Sequence, residues 1–267
     1  KKMHKVTLFT SNNRRHNYLI NFLSRMTKNL YVIQESKTIF PGLNSEISNN
    51  KIIYEYFKKV DWAQKKIFQN NSIEVTKNVK LLPLKMGDLK YIKIRENIDF
   101  FRSDLYVVFG SSLIKGEILK FLKKKKAINI HMGISPYYRG ADCNFWAQND
   151  GNTNLVGATI HYLSDGIDDG KIISYATSEF HPNRFLHSMS TVKSAFYCLK
   201  KIIYKQKKIS FKQDLNKTIK LSKKKEFNPA RIKKFFSKKY KKQKKNFKLS
   251  NCYILKRKNF FHNDQNS

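Results

Sequence analysis

The sequence predicts an α/β fold with a mostly parallel central sheet flanked by helices. Residues 5–10 and 30–34 are β-type runs on either side of a helical stretch, and a strand, a helix and a strand in this order form a unit with parallel strands. Residues 104–109 are almost continuously apolar, which is typical of a parallel strand buried on both faces. With 267 residues and 40% hydrophobic content, the chain can bury one full-sized core.

The first half of the chain alternates strands and helices. Ser11 and the two asparagines after it supply N-cap side chains to the first helix. The inward-facing residues of that helix are predicted to be Leu19, Phe22, Leu23 and Met26. The next predicted elements are a helix over 45–69, a strand over 81–84, a helix over 87–97, a strand over 104–109 and a helix over 116–124. Pro83 cannot donate a ladder hydrogen bond, so the strand over 81–84 is predicted to lie at an edge.

The second half contains further strands and one long helix. Its predicted elements are a strand over 127–131, a helix around 144–149, strands over 156–163 and 171–180, and a helix over 182–203. Apolar residues of the last helix alternate spacings of three and four, which indicates a helix packed along one stripe. We interpret this helix as structural.

The formal net charge of +35 makes polyanions the first partners to consider, whether nucleic acid, an anionic membrane or a phosphorylated substrate. A general bias toward lysine explains the same charge, because lysine far outnumbers arginine and arginine is preferred for bidentate phosphate recognition. A dedicated nucleic-acid surface should also be clustered and interleaved with aromatic residues. We therefore expect at most weak, nonspecific nucleic-acid binding.

Several classes of protein are disfavoured by the sequence. No apolar run approaches the length of a membrane span, and residues 1–10 lead into a strand without the apolar region of a signal peptide. Cys143, Cys198 and Cys252 are odd in number and widely spaced, which argues against a disulfide framework or a zinc site. No glycine follows the first strand, so a glycine-rich dinucleotide site is not expected. We expect a cytoplasmic protein without a metal.

Polar residues gather in the stretch 127–170. Asn129 and His131 lie two residues apart on a predicted strand, and side chains at this spacing point to the same face. An acidic turn that includes Asp168 follows the next strand, on which His161 is a rival base. A single histidine near a strand end is more often structural than catalytic, so the whole pattern has to support a functional role.

That pattern resembles the signature of the folate-dependent formyltransferases. It consists of Asn-x-His, Ser-Pro-Tyr-Tyr-Arg-Gly, Gly-Ala-Thr-Ile-His and Gly-Ile-Asp-Asp-Gly in this order. The family includes glycinamide ribonucleotide, methionyl-tRNA and sugar-amine N-formyltransferases. The resemblance implies a Rossmann-like formyltransferase fold and N10-formyltetrahydrofolate as the co-substrate. It assigns Asn129, His131 and Asp168 as the catalytic residues; Asp169, at the variable middle position of the turn, puts little in doubt.

The resemblance also assigns residues to the binding of the folate. These are Gly110, Leu113, Ile114, Asp165 and Ile167. The first three belong to the loop after the buried strand, which in the family lines the pterin pocket. Simple packing of that loop is an equally good explanation for any one of them.

Four residues are candidates for binding the amine substrate. Arg14 and Arg15 follow the carboxyl end of the first strand, where α/β folds bind ligands, and could hold a substrate phosphate. A solvated first helical turn explains the two arginines equally well. Tyr138 and Arg139 are assigned to substrate binding because they belong to the family signature.

The resemblance implies a formyltransferase catalytic domain over 1–208 and a Lys-rich extension over 209–267, partly docked and without a separate barrel domain. Residues 200–248 contain twenty-one Lys or Arg against two acidic residues, and the chain from Lys233 onward is predicted to be disordered or loosely docked. Truncation after Asn246 is therefore expected to leave turnover nearly unchanged.

Three functions remain open from the sequence. The first is N-formylation of a small amine, most of all a nucleotide-linked amino sugar, since the wording around Tyr138 and Trp146 is closest to that branch. The second is formylation of methionyl-tRNA, and the third is nucleic-acid binding without catalysis. In the two enzymatic hypotheses, Asn129 stabilises charge on the formyl oxygen, His131 takes the amine proton and Asp168 orients His131. The identity of the amine and a homodimer are left open.

Overall fold

The computed structural model describes residues 3–36, 50–69, 72–74, 76–204, 209–243, 247 and 249–261. The chain divides into two compact units. The first unit comprises Lys1–Asn44, Asn70–Ile130 and Tyr162–Asp165, and the second comprises Ser45–Gln69, His131–His161 and Gly166–Ser267. The second unit therefore includes residues on both sides of residue 208.

The strands in the described ranges are β1 (Met3–Ser11), β2 (Thr27–Ser36), β3 (Val79–Lys85), β4 (Leu105–Phe109), β5 (Ile128–His131), β6 (Tyr138–Gly140), β7 (Ala158–Tyr162), β8 (Ile172–Ser178), β9 (Lys220–Ser222) and β10 (Cys252–Leu255). The α-helices are α1 (Arg14–Ser24), α2 (Lys51–Phe68), α3 (Gly116–Lys124), α4 (Cys143–Asn149), α5 (Arg184–Tyr204) and α6 (Pro229–Ser237). The predicted start of α2 at residues 45–49 lies outside the described ranges.

The first unit is built on parallel strands in the order β5-β4-β1-β2-β3. All five residues of β4 are buried, as the apolar run predicts. Strand β3 carries Pro83 and lies at the edge, which confirms its predicted place. The core under this sheet is formed by Phe9, Ile33, Leu89, Phe101, Tyr106, Val108, Ile114, Ile118, Leu122 and Ala127.

The prediction of a helix over 87–97 is wrong. The chain instead forms two 3-10 segments, Asp88–Tyr91 and Ile94–Phe101. Ile92 and Lys93 between them have extended backbone, with ψ angles of 124° and 130°. Apolar spacing alone indicated a helix here, and it did not detect this break.

The second unit packs α5 against strands β8 and β10. Strand β8 pairs antiparallel with β7 and parallel with β10. The apolar residues predicted to face inward on α5 are buried, namely Phe185, Met189, Val192, Phe196 and Leu199. Packing along a single stripe is wrong, because every residue from Met189 to Phe196 is buried and the middle of the helix is therefore covered on all faces. The predicted α/β class with mostly parallel strands is confirmed as well: the pairs β1–β2, β1–β4, β2–β3, β4–β5, β6–β9 and β8–β10 are parallel, and β7–β8 is antiparallel.

The prediction of a disordered or loosely docked chain from Lys233 onward is wrong for the residues described there. Helix α6 buries Ile232 and Phe235, which are 0% and 1% exposed. Beyond it, β10 joins β8, and Leu255 and Phe260 are fully buried. A few apolar side chains between the lysines therefore anchor the segment, while the lysines described there are exposed, apart from the half-buried Lys238. No helix in the described part of the chain is both long and apolar enough to cross a membrane.

Candidate active site

His131 lies at the carboxyl end of β5, and its side chain is 8% exposed. Its Nδ1 is 3.2 Å from Asp168 Oδ2, and its Nε2 is 3.2 Å from the carbonyl oxygen of Tyr138. Both ring nitrogens thus face an oxygen acceptor. A neutral imidazole has one N–H and can donate to one of them, whereas an imidazolium can donate to both. These two acceptors therefore offset part of the cost of burying the charged ring.

Asp168 is the acceptor that holds Nδ1. Its Oδ2 also accepts the backbone N–H of Gly140 at 3.0 Å, and its Oδ1 is 3.8 Å from His161 Nε2. Burial alone would raise the pKa of this carboxyl, but His131, His161 and the Gly140 N–H outweigh burial and hold the pKa well below its usual range. Asp168 is therefore a carboxylate near neutral pH and keeps the proton of His131 on Nδ1.

Burial disfavours the charged form of the imidazole, as it does that of the carboxyl, but for a histidine this means a lower pKa. Burial lowers the pKa of His131, against the attraction of Asp168, and His161 lowers the pKa further. The ring is consequently neutral near neutral pH and can accept a proton. The rings of His131 and His161 lie 6.5 Å apart, centroid to centroid, and share the two oxygens of one carboxylate. His131 makes the shorter of the two contacts.

Gly133 provides the space that His131 occupies. A Cβ atom at this position would lie 2.5 Å from His131 Nε2 and 2.5 Å from the Cβ of Cys143. Contacts this short do not occur between packed atoms, so a glycine is required at this distance from the ring. Cys143 is itself buried, its thiol donates to the Gly140 carbonyl at 3.4 Å, and burial raises its pKa. This environment fits the interpretation of Cys143 as a packed thiol.

The acidic turn that carries Asp168 is held by two side chains. Arg139 donates from Nε and Nη2 to the carbonyl of Ile167, at 2.9 and 2.7 Å. Gln213 donates from Nε2 to the carbonyls of Asp168 and Gly170, at 2.9 and 2.8 Å. Sequence reasoning missed Gln213, because it lies in the extension, where only the charge pattern was informative.

Arg139 and Tyr138, which the family signature assigns to substrate binding, are both buried and hydrogen-bonded within the protein. Arg139 is 8% exposed and its guanidinium is engaged by the acidic turn. Tyr138 is 1% exposed, and its hydroxyl donates to Asp150 at 3.1 Å and accepts from Asn152 at 2.6 Å. Burial raises the pKa of this phenol. Both residues contact other parts of the site: Arg139 holds the acidic turn, and the backbone carbonyl of Tyr138 faces the His131 ring.

The remaining predicted residues upstream of the turn belong to the first unit. Asn129 lies on β5 opposite Val108 of β4 and is half-buried. Arg14 and Arg15 are the first two residues of α1 and are also half-buried. Asp165 is exposed and forms an ion pair with Lys123.

The loop after β4, with Gly110, Leu113 and Ile114, is fixed by buried groups of the first unit. Glu35 accepts from the backbone N–H and the hydroxyl of Ser112, at 2.6 and 2.7 Å. Gly110 has a φ of +68°, and a Cβ there would lie 2.6 Å from the ring of His16. Leu113 is 70% exposed, whereas Ile114 is 8% exposed and belongs to the core.

Comparison with known proteins assigns the family. Residues 31–195 match the family model described as formyl transferase, which is more than half of the chain. The chain belongs to the formyl transferase family. Among curated proteins, it is 30% identical over 97 residues to the methionyl-tRNA formyltransferase of Agathobacter rectalis, matching 34% of this chain and 31% of that protein. It is 30% identical over 125 residues to that of Chlamydia caviae, matching 44% and 38%. The matches thus span about a third of these relatives.

A solved structure shares the fold. A Mycobacterium tuberculosis protein considered a sugar N-formyltransferase superposes with a TM-score of 0.51 at 17% identity, covering 84% of this chain and 76% of that one. The formyltransferase PseJ of Anoxybacillus kamchatkensis, in complex with UDP-4,6-dideoxy-4-formamido-L-AltNAc and tetrahydrofolate, gives a TM-score of 0.43 at 19% identity, covering 79% and 82%.

Proposed function

We propose that this protein is a folate-dependent N-formyltransferase that transfers a formyl group from N10-formyltetrahydrofolate to the primary amine of a nucleotide-linked amino sugar. Membership of the formyl transferase family supports the reaction class. The observation that carries the proposal is the buried His131, with the carboxylate of Asp168 at Nδ1 and the carbonyl of Tyr138 at Nε2. This arrangement suits a base that must become charged during the reaction.

In the transfer, the amine nitrogen bonds to the formyl carbon, the bond from that carbon to N10 breaks, the amine loses one proton and N10 gains one. N10-formyltetrahydrofolate supplies the activated formyl carbonyl. His131 accepts the proton that leaves the amine, and its charged ring then has an acceptor for each N–H, Asp168 and the Tyr138 carbonyl. Asp168 orients the ring and stabilises its charge, as a carboxylate does for a catalytic histidine.

Asn129 is proposed to stabilise the formyl oxygen. It lies two residues before His131 on β5, and its amide N–H can donate to the oxygen as negative charge develops there. A donor of this kind contributes about 3–4 kcal/mol to a transition state. No side chain has to form a covalent bond, so the packed thiol of Cys143 has no part in this scheme.

For the folate, we propose contacts from the residues that the family resemblance assigns. Leu113 and Ile167 are 70% and 50% exposed and offer apolar surface. Gly110 contributes backbone next to Leu113, and the carboxylate of Asp165 is exposed to solvent. Ile114 is buried in the core, so its contribution is to anchor the loop.

Two classes of molecule are candidates for the acceptor, and different observations favour each. The sequence from Tyr138 to Trp146 resembles that of the sugar-amine branch. The Mycobacterium tuberculosis protein of similar fold is considered a sugar N-formyltransferase. Methionyl-tRNA is the second candidate, because the curated relatives act on it by name and the net charge of +35 suits a polyanion. We place the amino sugar first and propose that Arg14 and Arg15 bind its phosphates.

Formylation of a panel of amines tests the proposal. The full chain is incubated with N10-formyltetrahydrofolate and one acceptor at a time, and mass spectrometry detects the gain of a formyl group. The panel contains UDP-4-amino-4,6-dideoxy-L-AltNAc, other nucleotide-linked amino sugars, free amino sugars and methionyl-tRNA. The folded His131→Ala protein is the blank. We expect a formylated nucleotide-linked sugar and unmodified methionyl-tRNA.

Two other outcomes would change the proposal. Formylation of methionyl-tRNA alone, weakening steeply with salt as phosphate contacts are screened, would reverse the ranking of the acceptors. Equal formylation by the wild-type and His131→Ala proteins would contradict the catalytic role of His131, whichever amine reacts.

A further inference from the structure

The turn that carries Asp168 is held by a residue far away in sequence. Gln213 lies in the C-terminal extension and donates from Nε2 to the carbonyls of Asp168 and Gly170, at 2.9 and 2.8 Å. Phe211, two residues earlier, exchanges backbone hydrogen bonds with Ile172 of β8, at 2.8 and 2.9 Å. The backbone next to Gln213 is therefore tied to the strand that follows the turn, so the amide approaches the turn from a fixed point.

The turn needs such support because its conformation is unfavourable. Asp168 has a φ of +49°, a left-handed conformation that costs a non-glycine residue energy and persists where surrounding contacts impose it. The two carbonyls on either side of Asp169 converge on a single amide nitrogen, which uses both of its N–H groups. The other end of the amide, Gln213 Oε1, is buried and has no hydrogen-bond partner in the structure. Donation to the turn is therefore the polar interaction that this side chain makes.

We propose that Gln213 is a positioning residue of the formyl-transfer site, which fixes the backbone of Asp168 so that the carboxylate reaches both His131 Nδ1 and the N–H of Gly140. The inference rests on the proposed function, because Asp168 matters for turnover only if His131 is the base. It gives part of the Lys-rich extension a role in the site. Gln213 touches no reacting atom in this scheme and acts through Asp168.

Gln213→Met is the variant that separates donation from packing. Methionine has nearly the same length and volume but no N–H, and it introduces no charge near His131. Gln243→Met is the matched control, since Gln243 is a half-buried glutamine of the same extension whose Nε2 donates to Asn152 at 3.3 Å instead of to the turn. Gln213→Lys restores N–H donors at the same position and tests for rescue of turnover.

Two measurements on the full-length chain provide the readout. NMR titration of the His131 ring needs no substrate, and turnover is measured with N10-formyltetrahydrofolate and UDP-4-amino-4,6-dideoxy-L-AltNAc, or the amine that the panel shows to react. For Gln213→Met we expect kcat to fall about ten- to hundredfold with little change in KM, because small displacements of a positioned group are this costly. The His131 titration should move to lower pH, since the ring loses part of the attraction of Asp168. Gln243→Met should match the wild type, and Gln213→Lys should recover most of the lost turnover.

Asp168→Asn, measured in parallel, separates the role of Gln213 from the role of Asp168 in turnover. Low turnover of Asp168→Asn together with wild-type turnover and titration of folded Gln213→Met would overturn the role of Gln213 and leave the proposed function intact. Wild-type turnover of Asp168→Asn would overturn the role of Asp168 and with it that of Gln213, whereas absence of formyl transfer by the wild-type chain would overturn the proposed function itself. If Gln213→Met fails to fold, Gln213→Asn keeps the amide but withdraws it by one methylene, and the same two readouts decide.

Discussion

Replacing Gly133 with alanine tests whether the position of the His131 ring controls turnover. The added Cβ would lie 2.5 Å from His131 Nε2, 2.5 Å from Cys143 Cβ and 3.0 Å from the carbonyl oxygen of Tyr138. Ordinary contact between carbon atoms begins near about 3.5 Å, so neighbours must move by about 1 Å. Cys143 Cβ is fixed to α4 and the carbonyl belongs to β6, so the backbone at residue 133 has to shift away from them while the imidazole turns aside.

The expected cost has two parts. Overpacking a close-packed site lowers the free energy of unfolding by about 1–3 kcal/mol. A displacement of about 1 Å at a catalytic group lowers turnover by about a hundredfold. For Gly133→Ala we therefore expect kcat to fall about a hundredfold while the protein stays folded at room temperature. The ring should also lose its short contact with Asp168, now 3.2 Å from Nδ1.

Turnover and urea-induced unfolding of the same preparations measure both parts. Gly151→Ala is the matched control, because Gly151 has a φ of +81° and a Cβ there would meet no atom within 4 Å. This control should lose about 1–2 kcal/mol of stability from backbone strain and keep its turnover. Wild-type turnover of Gly133→Ala, or an equal loss of turnover in Gly151→Ala, would refute the reasoning.

Three further predictions concern the extension and the buried histidines. Truncation after Asn246 removes β10 with the buried Leu255 and Phe260, each of which stabilises the fold by about 1.5–3 kcal/mol. Calorimetry should therefore show a clearly lower Tm, and an unchanged Tm would mean that these contacts do not stabilise the fold. Because burial lowers the pKa of His131, kcat/KM should fall on the acid side with a midpoint below about pH 6.5, and a midpoint above that value would contradict a neutral buried base. Burial also lowers the pKa of His187 to about 3, so protonation favours unfolding. His187 should therefore contribute about 2 kcal/mol to the fall in the free energy of unfolding from about pH 8 to about pH 5, and His187→Gln should reduce that fall by this amount in pH-dependent urea unfolding; an unchanged fall would contradict the burial of His187.

Local patterns predicted the elements that bury a regular apolar face. The run that forms β4 and the apolar positions of α5 depend on spacing within one element, and the burial of both sets is confirmed. The motif residues His131 and Asp168 also come together as the family resemblance implies, 3.2 Å apart. These features could be predicted because each depends on residues that are close together in the sequence, whether the period of a strand or helix or a motif at the end of a strand.

What the sequence did not show depends on contacts between distant residues. Tyr138 and Arg139 belong to the family signature, but Asp150, Asn152 and the acidic turn occupy their side chains. Gln213 has no motif around it and reaches the turn across 45 residues of sequence. The Lys-rich extension looked disordered because its charge hid the spacing of the few apolar residues that anchor it.

Turnover of His131→Ala tests the central claim most directly, namely that the buried His131, held by Asp168, takes the amine proton. Circular dichroism first confirms the fold, and formyl transfer from N10-formyltetrahydrofolate is then compared with wild type and with His161→Ala. Turnover of His131→Ala should be lower by at least about a hundredfold, the scale for loss of a general base, and the loss should exceed that of His161→Ala. Near-wild-type turnover in a folded His131→Ala protein, with the loss appearing in His161→Ala instead, would contradict the claim.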